Sequence, residues 1–260
     1  MKDQSESWSA AARIYGQEFV DPYLPEVRNP LQPALQALVR RGARTVADLG
    51  CGLGPLVPFL AEHFERVWAV DFAAAMLEQA RSRCAAPNVT YLQRSLLDLK
   101  PLHGRLDVAV AVNSLVLPRV TDLDAALAEI RRCLKPDGAV LGIVPAMDAV
   151  HYQTMLLIER GLAHGQPLEA ACKNAAHHNE HAAYDFALGQ YCFRGIEQHF
   201  WQPFEVRFRF AKAGFRLTQL KKVHLAWKQF AGWRELARYA PPWDWFFLAR
   251  RAGARAASAP

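Results

Sequence analysis

The sequence predicts a doubly wound α/β fold built on a mostly parallel sheet, and three observations carry that prediction. Thr45 to Leu49 is a buried-strand pattern that runs into a turn with glycines at 50, 52 and 54. Beyond the turn, apolar residues at 56, 57, 59, 60 and 64 have the spacing of a helix with one buried face, opening at Pro55 and carrying Pro58 in its first turn. Finally, Leu106 to Val112 is a near-continuous apolar run, as expected of a central parallel strand covered on both faces.

The remaining elements follow the same alternation. Arg66 to Val70 is a second strand, and Ala73 to Cys84 a helix with Ala75, Met76, Ala80 and Cys84 turned inward. Val89 to Gln93 is the third strand, Leu123 to Cys133 an amphipathic helix, Lys135 to Gly138 a turn and Ala139 to Val144 the fifth strand. Ahead of all this, Ser5 to Arg41 reads as helices broken by Pro22, Pro25, Pro30 and Pro33. Residues 151–211 leave the alternation and read as helical, rich in Tyr, Phe and His. Phe215 to Val223 and Trp245 to Ala249 are the last two strands, and the Ala/Ser/Pro-rich end past Gly253 is expected to be disordered.

Composition limits the function classes. The chain has 260 residues, 52% hydrophobic and 22% charged, with a net charge of +6 and no Lys or Arg run that reads as a nucleic-acid arm. Five cysteines, an odd number with no C-x-x-C pair, suggest neither a disulfide framework nor a zinc knuckle. The first ten residues are polar and no apolar run reaches membrane-spanning length. The expectation is a soluble, cytoplasmic protein without nucleic-acid or membrane partners.

The loop Gly50-Cys51-Gly52-Leu53-Gly54 is a nucleotide-type site, because a turn free of Cβ atoms at alternate positions lets a ligand press on the backbone. A dinucleotide loop would carry its third glycine where Pro55 stands, which disfavours a nicotinamide oxidoreductase. Asp48, just before the loop, would repel a pyrophosphate but suits a cationic ligand. Asp71, at the end of the second strand, is placed to accept both hydroxyls of a ribose. These stretches, VADLGCGLG and then VWAVD, resemble the first two motifs of the class I S-adenosylmethionine-dependent methyltransferases. LKPDGAVLGIVP, residues 134–145, strengthens the likeness.

The resemblance covers Thr45 to Pro145 well and Ala213 to Arg250 loosely, and it implies a seven-stranded sheet ending in an antiparallel hairpin, with S-adenosyl-L-methionine as cofactor. It further implies that Gly50, Gly52 and Gly54, with Asp48 and Cys51 among them, approach the methionine part and ribose. Asp71 would hold the ribose, Phe72 cover the adenine, and Ser95 with Leu96 meet its edge, although the family often has Asp at 95. Asn113 and Ser114 would meet the ammonium and face the methyl group, and Tyr15 in the leader would supply a hydroxyl near the carboxylate. The expected organisation is one domain: a leader (1–41), a cofactor core (42–150), a helical lid (151–211), the last strands (212–252) and a tail (253–260).

Within the lid, AAHHNEHAAYDF places His177 and His181 on one face of a helix with Glu180 and Tyr184 beside them. The functional reading is a general base that takes a proton from a hydroxyl or amine; a metal pair lacks a third ligand, and a solvated face is the alternative. Arg194, Arg207 and Arg209 are candidates to hold an acidic substrate group, with Phe200 and Trp201 as pocket walls, against helix capping and packing by Phe204, Phe208 and Ala211. The expected function is methyl transfer to a small molecule at oxygen or nitrogen. A non-catalytic cofactor-binding module and a methyltransferase of RNA or protein stand as alternatives.

Overall fold

A computed structural model describes residues 21–176, 182–193, 196–230 and 233–252. The strands of the main sheet are β1 (Thr45–Leu49), β2 (Arg66–Asp71), β3 (Val89–Gln93), β4 (Leu106–Val112), β5 (Leu134–Pro145), β9 (Phe215–His224) and β10 (Trp243–Arg251). Their order is β3-β2-β1-β4-β5-β10-β9, with β10 antiparallel to both neighbours and the other pairings parallel. From β1 the chain winds outward through β2 and β3, then returns to place β4 on the other side of β1. The topological switch point therefore lies between the carboxyl ends of β1 and β4, where open α/β sheets bind ligands.

Each parallel strand near the centre is buried on both faces, which is why its sequence shows no alternation. On one face Leu31, Leu35 and Leu38 of α1 (Leu31–Arg40), with Leu60 of α2 (Val57–His63), pack on Val46, Val108, Leu141 and Phe246. Next to α2, α3 (Ala74–Arg83) buries Met76, Leu77 and Ala80, so Leu77 takes the inward place expected of Ala75. The opposite face is covered by Leu123, Leu127 and Ile130 of α4 (Val120–Cys133) and by Val206 and Phe210 of α7 (Pro203–Lys212).

At the amino end of the sheet, Asp107 ties three strands together. Its carboxylate accepts from the N–H groups of Arg44 and Thr45, the Thr45 hydroxyl and Lys135 Nζ, at 2.8–2.9 Å. Partial burial works against the charge, but these donors outweigh it and hold the carboxyl at about 2.

The segment expected to be a helical lid, residues 151–211, is helical towards both ends and carries strands between. α5 (Met147–Ala163) and α6 (Leu168–Ala176) are followed by a small antiparallel sheet of β6 (Ala182–Asp185), β7 (Gln190–Phe193) and β8 (Ile196–His199). The turn between β6 and β7 explains the difference. Asp185 Oδ1 accepts from the N–H groups of Ala187 and Leu188, both at 3.0 Å, and Gly189 adopts a left-handed φ of 68°. A histidine spacing that fits one helical face says nothing about such a turn, and Tyr184 belongs to a strand.

The small sheet docks on the carboxyl ends of β4 and β5. The His199 N–H donates to Val116 O (3.0 Å), the Trp201 N–H to Pro145 O (2.8 Å) and the Trp201 indole to Leu115 O (2.7 Å). Trp201 is fully buried, in the core rather than as a pocket wall. Gln202-Pro203 starts α7 as the sequence suggests. Phe204 and Phe208, however, are 71% and 63% exposed, because the buried stripe of α7 runs through Val206 and Phe210.

Candidate active site

The glycine loop is pinned to β2 by its first two amides, since Gly50 and Cys51 both donate to Val70 O, at 2.7 and 2.9 Å. Gly50 has a φ of 74°, and a Cβ there would lie 2.3 Å from Ser114 Cβ. Only glycine fits, and its absence of a side chain lets the end of β4 close on the end of β1. Ser114 completes the contact with a 2.6 Å hydrogen bond from its hydroxyl to Leu49 O. At Gly54 a Cβ would meet Ala80 of α3 at 2.9 Å, whereas at Gly52 the space within 4 Å is empty. The middle of the loop is thus the part left open to a ligand.

Two buried carboxyls stand behind it. Asp71, 7% exposed, accepts from the N–H of Gly52 through Oδ2 and of Ala73 through Oδ1, each at 2.9 Å. Burial raises its pKa, and those backbone donors partly oppose the rise. Asp48, 3% exposed, has no hydrogen-bond partner among the described residues. Burial first, and the Asp71 charge second, push it up to about 7. The Cys51 thiol is also pushed up, by burial and then by both carboxyls, so it is no nucleophile.

Beyond the ends of β2 and β3 opens a cavity of about 370 Å³ lined by Phe72, Gln93, Arg94, Ser95 and Asp98. Phe72 and Ser95 therefore share one space, and Leu96 beside them is buried. The Ser95 hydroxyl accepts from Leu97 N–H at 3.2 Å, and the exposed Asp98 lies at the same cavity.

On the far side of the switch point, Asn113 holds a left-handed φ of 49° and donates its N–H to Ile143 O at 2.8 Å. At the same rim stands Asp244, at the start of β10, an acid 6% exposed. Burial drives Asp244 up to about 7, opposed by hydrogen bonding from the Asn113 amide and the Ala146 N–H. Asp244 is absent from the sequence expectation, which began the last strand at Trp245. One signal was present: a single acid in the apolar run Trp243-Asp244-Trp245-Phe246-Phe247.

A second missed group is His199, 1% exposed, whose Nε2 lies 2.9 Å from Glu205 Oε2. Glu205 also binds Arg209, which in turn binds Asp124, so Arg209 is committed to a structural ion network rather than open to a substrate. Tyr15, His177, Glu180, His181 and Arg194 lie outside the described residues. Among the described residues no group of three or more His, Cys, Asp or Glu is arranged to hold a metal ion, and no helix is long and apolar enough to cross a membrane.

Known proteins share this part of the chain. Residues 46–138 match the family model described as a methyltransferase domain. The chain is 36% identical over 101 residues to the 2-phytyl-1,4-naphtoquinone methyltransferase of Trichormus variabilis, covering 36% of this chain and 43% of that protein. It is 37% identical over 94 residues to the malonyl-[acyl-carrier protein] O-methyltransferase of Serratia marcescens, covering 36% of this chain and 35% of that protein. The chain thus spans less than half the length of these relatives. Among solved structures, the fold resembles the complex between the Haloferax volcanii Trm112 methyltransferase activator and the putative methyltransferase, with a TM-score of 0.62, 19% identity and coverage of 97% of this chain and 100% of that one. The matched segment is the one that holds the glycine loop, both acids and the switch point. Residues 46–138 are thus similar to a methyltransferase domain, set in a sheet whose strand order the solved methyltransferase structures share.

Proposed function

We propose that the carboxyl rim of the sheet binds S-adenosylmethionine and that the chain moves its methyl group to a small molecule. The observation that carries this reading is the pairing of an open glycine loop with two buried acids, one of which, Asp48, is without a partner among the described residues. An unpaired buried carboxyl is costly unless something cationic meets it, and a sulfonium or ammonium group does so. Each oxygen of Asp71 accepts one backbone N–H and keeps a lone-pair site for a ribose hydroxyl. Phe72 and Ser95 suit an adenine in the cavity they border, with the backbone of Leu96 next to it in the chain.

When bound, the cofactor supplies an electrophilic methyl group. The protein's task is then to hold an acceptor in line and away from water, and positioning of this kind is worth on the order of 7 to 11 kcal/mol in favourable intramolecular cases. The bonds from His199 and Trp201 to the ends of β4 and β5 support a cover on that side of the rim, formed by the segment after β5. This favours a small acceptor over a polymer, as does a net charge of +6 without a basic run.

Thermal unfolding with S-adenosylmethionine, S-adenosylhomocysteine, NAD and no ligand tests the cofactor. At about 100 times its dissociation constant a ligand stabilises by about 2.7 kcal/mol, so the two adenosyl ligands should raise the midpoint by roughly 5 to 10 °C. A rise with NAD alone, or with none of the three, would overturn the reading. Turnover of labelled methyl donor with phenols, acids and amines separates an enzyme from a module that only binds.

A further inference from the structure

We propose that a cleft at the amino rim of the sheet binds the phosphate group of a small phosphate monoester, at a second site remote from the glycine loop. A cavity of about 580 Å³ opens there, lined by Glu65, Arg66, Trp68, Asn88, Thr90 and Arg105. It lies against the starts of β2 and β3 and the residue before β4. The length of β2, roughly 16 Å, separates it from Asp71. The site stands apart from the cofactor reading and does not depend on it.

Strand geometry gathers the groups. Arg66 and Trp68 are two positions apart on β2 and so share a face, and the register sets Thr90 of β3 beside Trp68. Trp68 is 6% exposed, and the Arg66 guanidinium stands over its ring at 5.8 Å from the centroid, a contact that limits where the guanidinium can go. Arg105 comes from the turn ahead of β4. Its N–H donates to Leu102 O at 3.1 Å and its carbonyl accepts from the Thr45 hydroxyl at 2.9 Å, so the backbone that carries this side chain is fixed on both sides.

Two of the polar groups on the wall are already committed. The Asn88 amide donates to Ala61 O and Phe64 O, at 2.8 and 2.9 Å, and closes the end of α2. The Glu65 carboxylate faces Arg44 Nε at 3.4 Å. By contrast, the Arg66 and Arg105 side chains are exposed and make no ion pair or hydrogen bond among the described residues. An arginine in the last turn of a helix, such as Arg40 of α1, is accounted for by the helix dipole. Arg66 opens a strand and Arg105 follows a turn, so that account does not reach them. A guanidinium only donates, which makes the partner of two such forks an anion rich in acceptors. A phosphate monoester carries about −1.5 to −2 at neutral pH and three acceptor oxygens, which matches both forks and the Thr90 hydroxyl, whereas a carboxylate brings a single charge and fewer oxygens. The cavity exceeds the size of the phosphate itself, which is why the proposed ligand is an ester and not the free ion.

Calorimetry at low ionic strength tests this, with glycerol 3-phosphate as the probe and inorganic phosphate and acetate beside it. Glycerol 3-phosphate should bind one site per chain, with acetate at least tenfold weaker. Arg66→Ala and Arg105→Ala should each weaken the ester at least tenfold, the scale of lost hydrogen bonds to a charged group. Arg105→Lys, which keeps the charge and loses the fork, should fall between Arg105→Ala and the wild type. Arg40→Ala, which removes an exposed arginine outside the cavity, should change nothing. Melting curves for each variant confirm that the fold is retained. Absence of saturable binding at millimolar ester, or a loss in Arg40→Ala as large as in Arg66→Ala, overturns the proposal. So does inorganic phosphate binding tenfold more tightly than the ester, which would make the cleft a site for the free ion. Added S-adenosylhomocysteine should leave the ester's affinity unchanged; competition between them would move the anion to the carboxyl rim and refute the second site.

Discussion

Replacing Asp48 by asparagine should make the ligand-free protein more stable above neutral pH and weaken its hold on a cationic cofactor. A carboxyl moved from its usual range near 4 to about 7 makes the ionised side chain roughly 4 kcal/mol more costly in the folded chain than in water. The direction follows from proton counting: between pH 4 and 7 the folded state keeps a proton that the unfolded state has released. Stability from this group is therefore present in full below about pH 4 and lost as pH rises to about 7, with no further change above. An asparagine side chain has nearly the volume of an aspartate and no charge, so Asp48→Asn escapes the loss. For a chain of this size 1 kcal/mol is about 2–4 °C, which sets a ceiling of roughly 16 °C for the gain at pH 8 and a value near zero at pH 4. Asp244 titrates in the same range and direction but is common to both proteins, so the difference between their pH curves isolates Asp48. With S-adenosylmethionine in excess the order should reverse, because the cation then favours the charge. Fluorimetric melting curves from pH 4 to 9, with and without cofactor, provide the measurement. Equal midpoints for the wild type and Asp48→Asn at pH 8 would show that Asp48 is not strained, and the cation site would lose its support.

Two further outcomes bear on the loop. Asp71→Ala removes the acceptor of the Gly52 and Ala73 N–H groups as well as the proposed ribose contact, and should weaken S-adenosylhomocysteine binding by about 1 to 3 kcal/mol in calorimetry; unchanged affinity would remove Asp71 from the site. Gly50→Ala forces a Cβ to 2.3 Å from that of Ser114 at a φ of 74°, and should lower the melting midpoint by the equivalent of a few kcal/mol. Adding Ser114→Gly should recover part of this loss, and no recovery would mean that the dihedral alone, not the contact, demands glycine.

What could be read from the sequence was whatever depends on neighbours along the chain. Val89–Gln93 and Leu106–Val112 have the expected bounds because each is an apolar-rich stretch closed by polar residues at both ends. The loop and its two acids were legible because strand, turn and helix fix their spacing. Of the histidine cluster only Tyr184 falls among the described residues, and it lies in β6, ahead of the turn set by Asp185 and Gly189, where helical spacing was assumed. Asp244 and Asn113 are 131 positions apart, and their approach depends on β10 entering the sheet beside β5, a pairing that no local pattern encodes. His199 and Glu205 were missed for a related reason. Their contact forms across the join of β8 and α7, where neither helical nor strand spacing pairs them.

The distribution of carboxyls over the sheet argues for where the function lies more firmly than any single motif. Asp107, at the amino end, is surrounded by four donors and sits at about 2. Asp48, Asp71 and Asp244, at the opposite rim, are each less than a tenth exposed, and burial raises all three. If acids at strand ends served only to tie strands together, both rims would look like Asp107, because the same N–H groups and lysine chemistry are available to either. A chain selected for stability alone would place asparagine or an apolar residue at 48 and 244. Instead the acids whose burial outweighs their donors collect where the order of strands opens a crevice, beside a loop whose middle residue leaves room for a ligand. Raised acids at one rim and a lowered one at the other are the pattern that the proposed cation site calls for, and the Asp48→Asn melting curves test it.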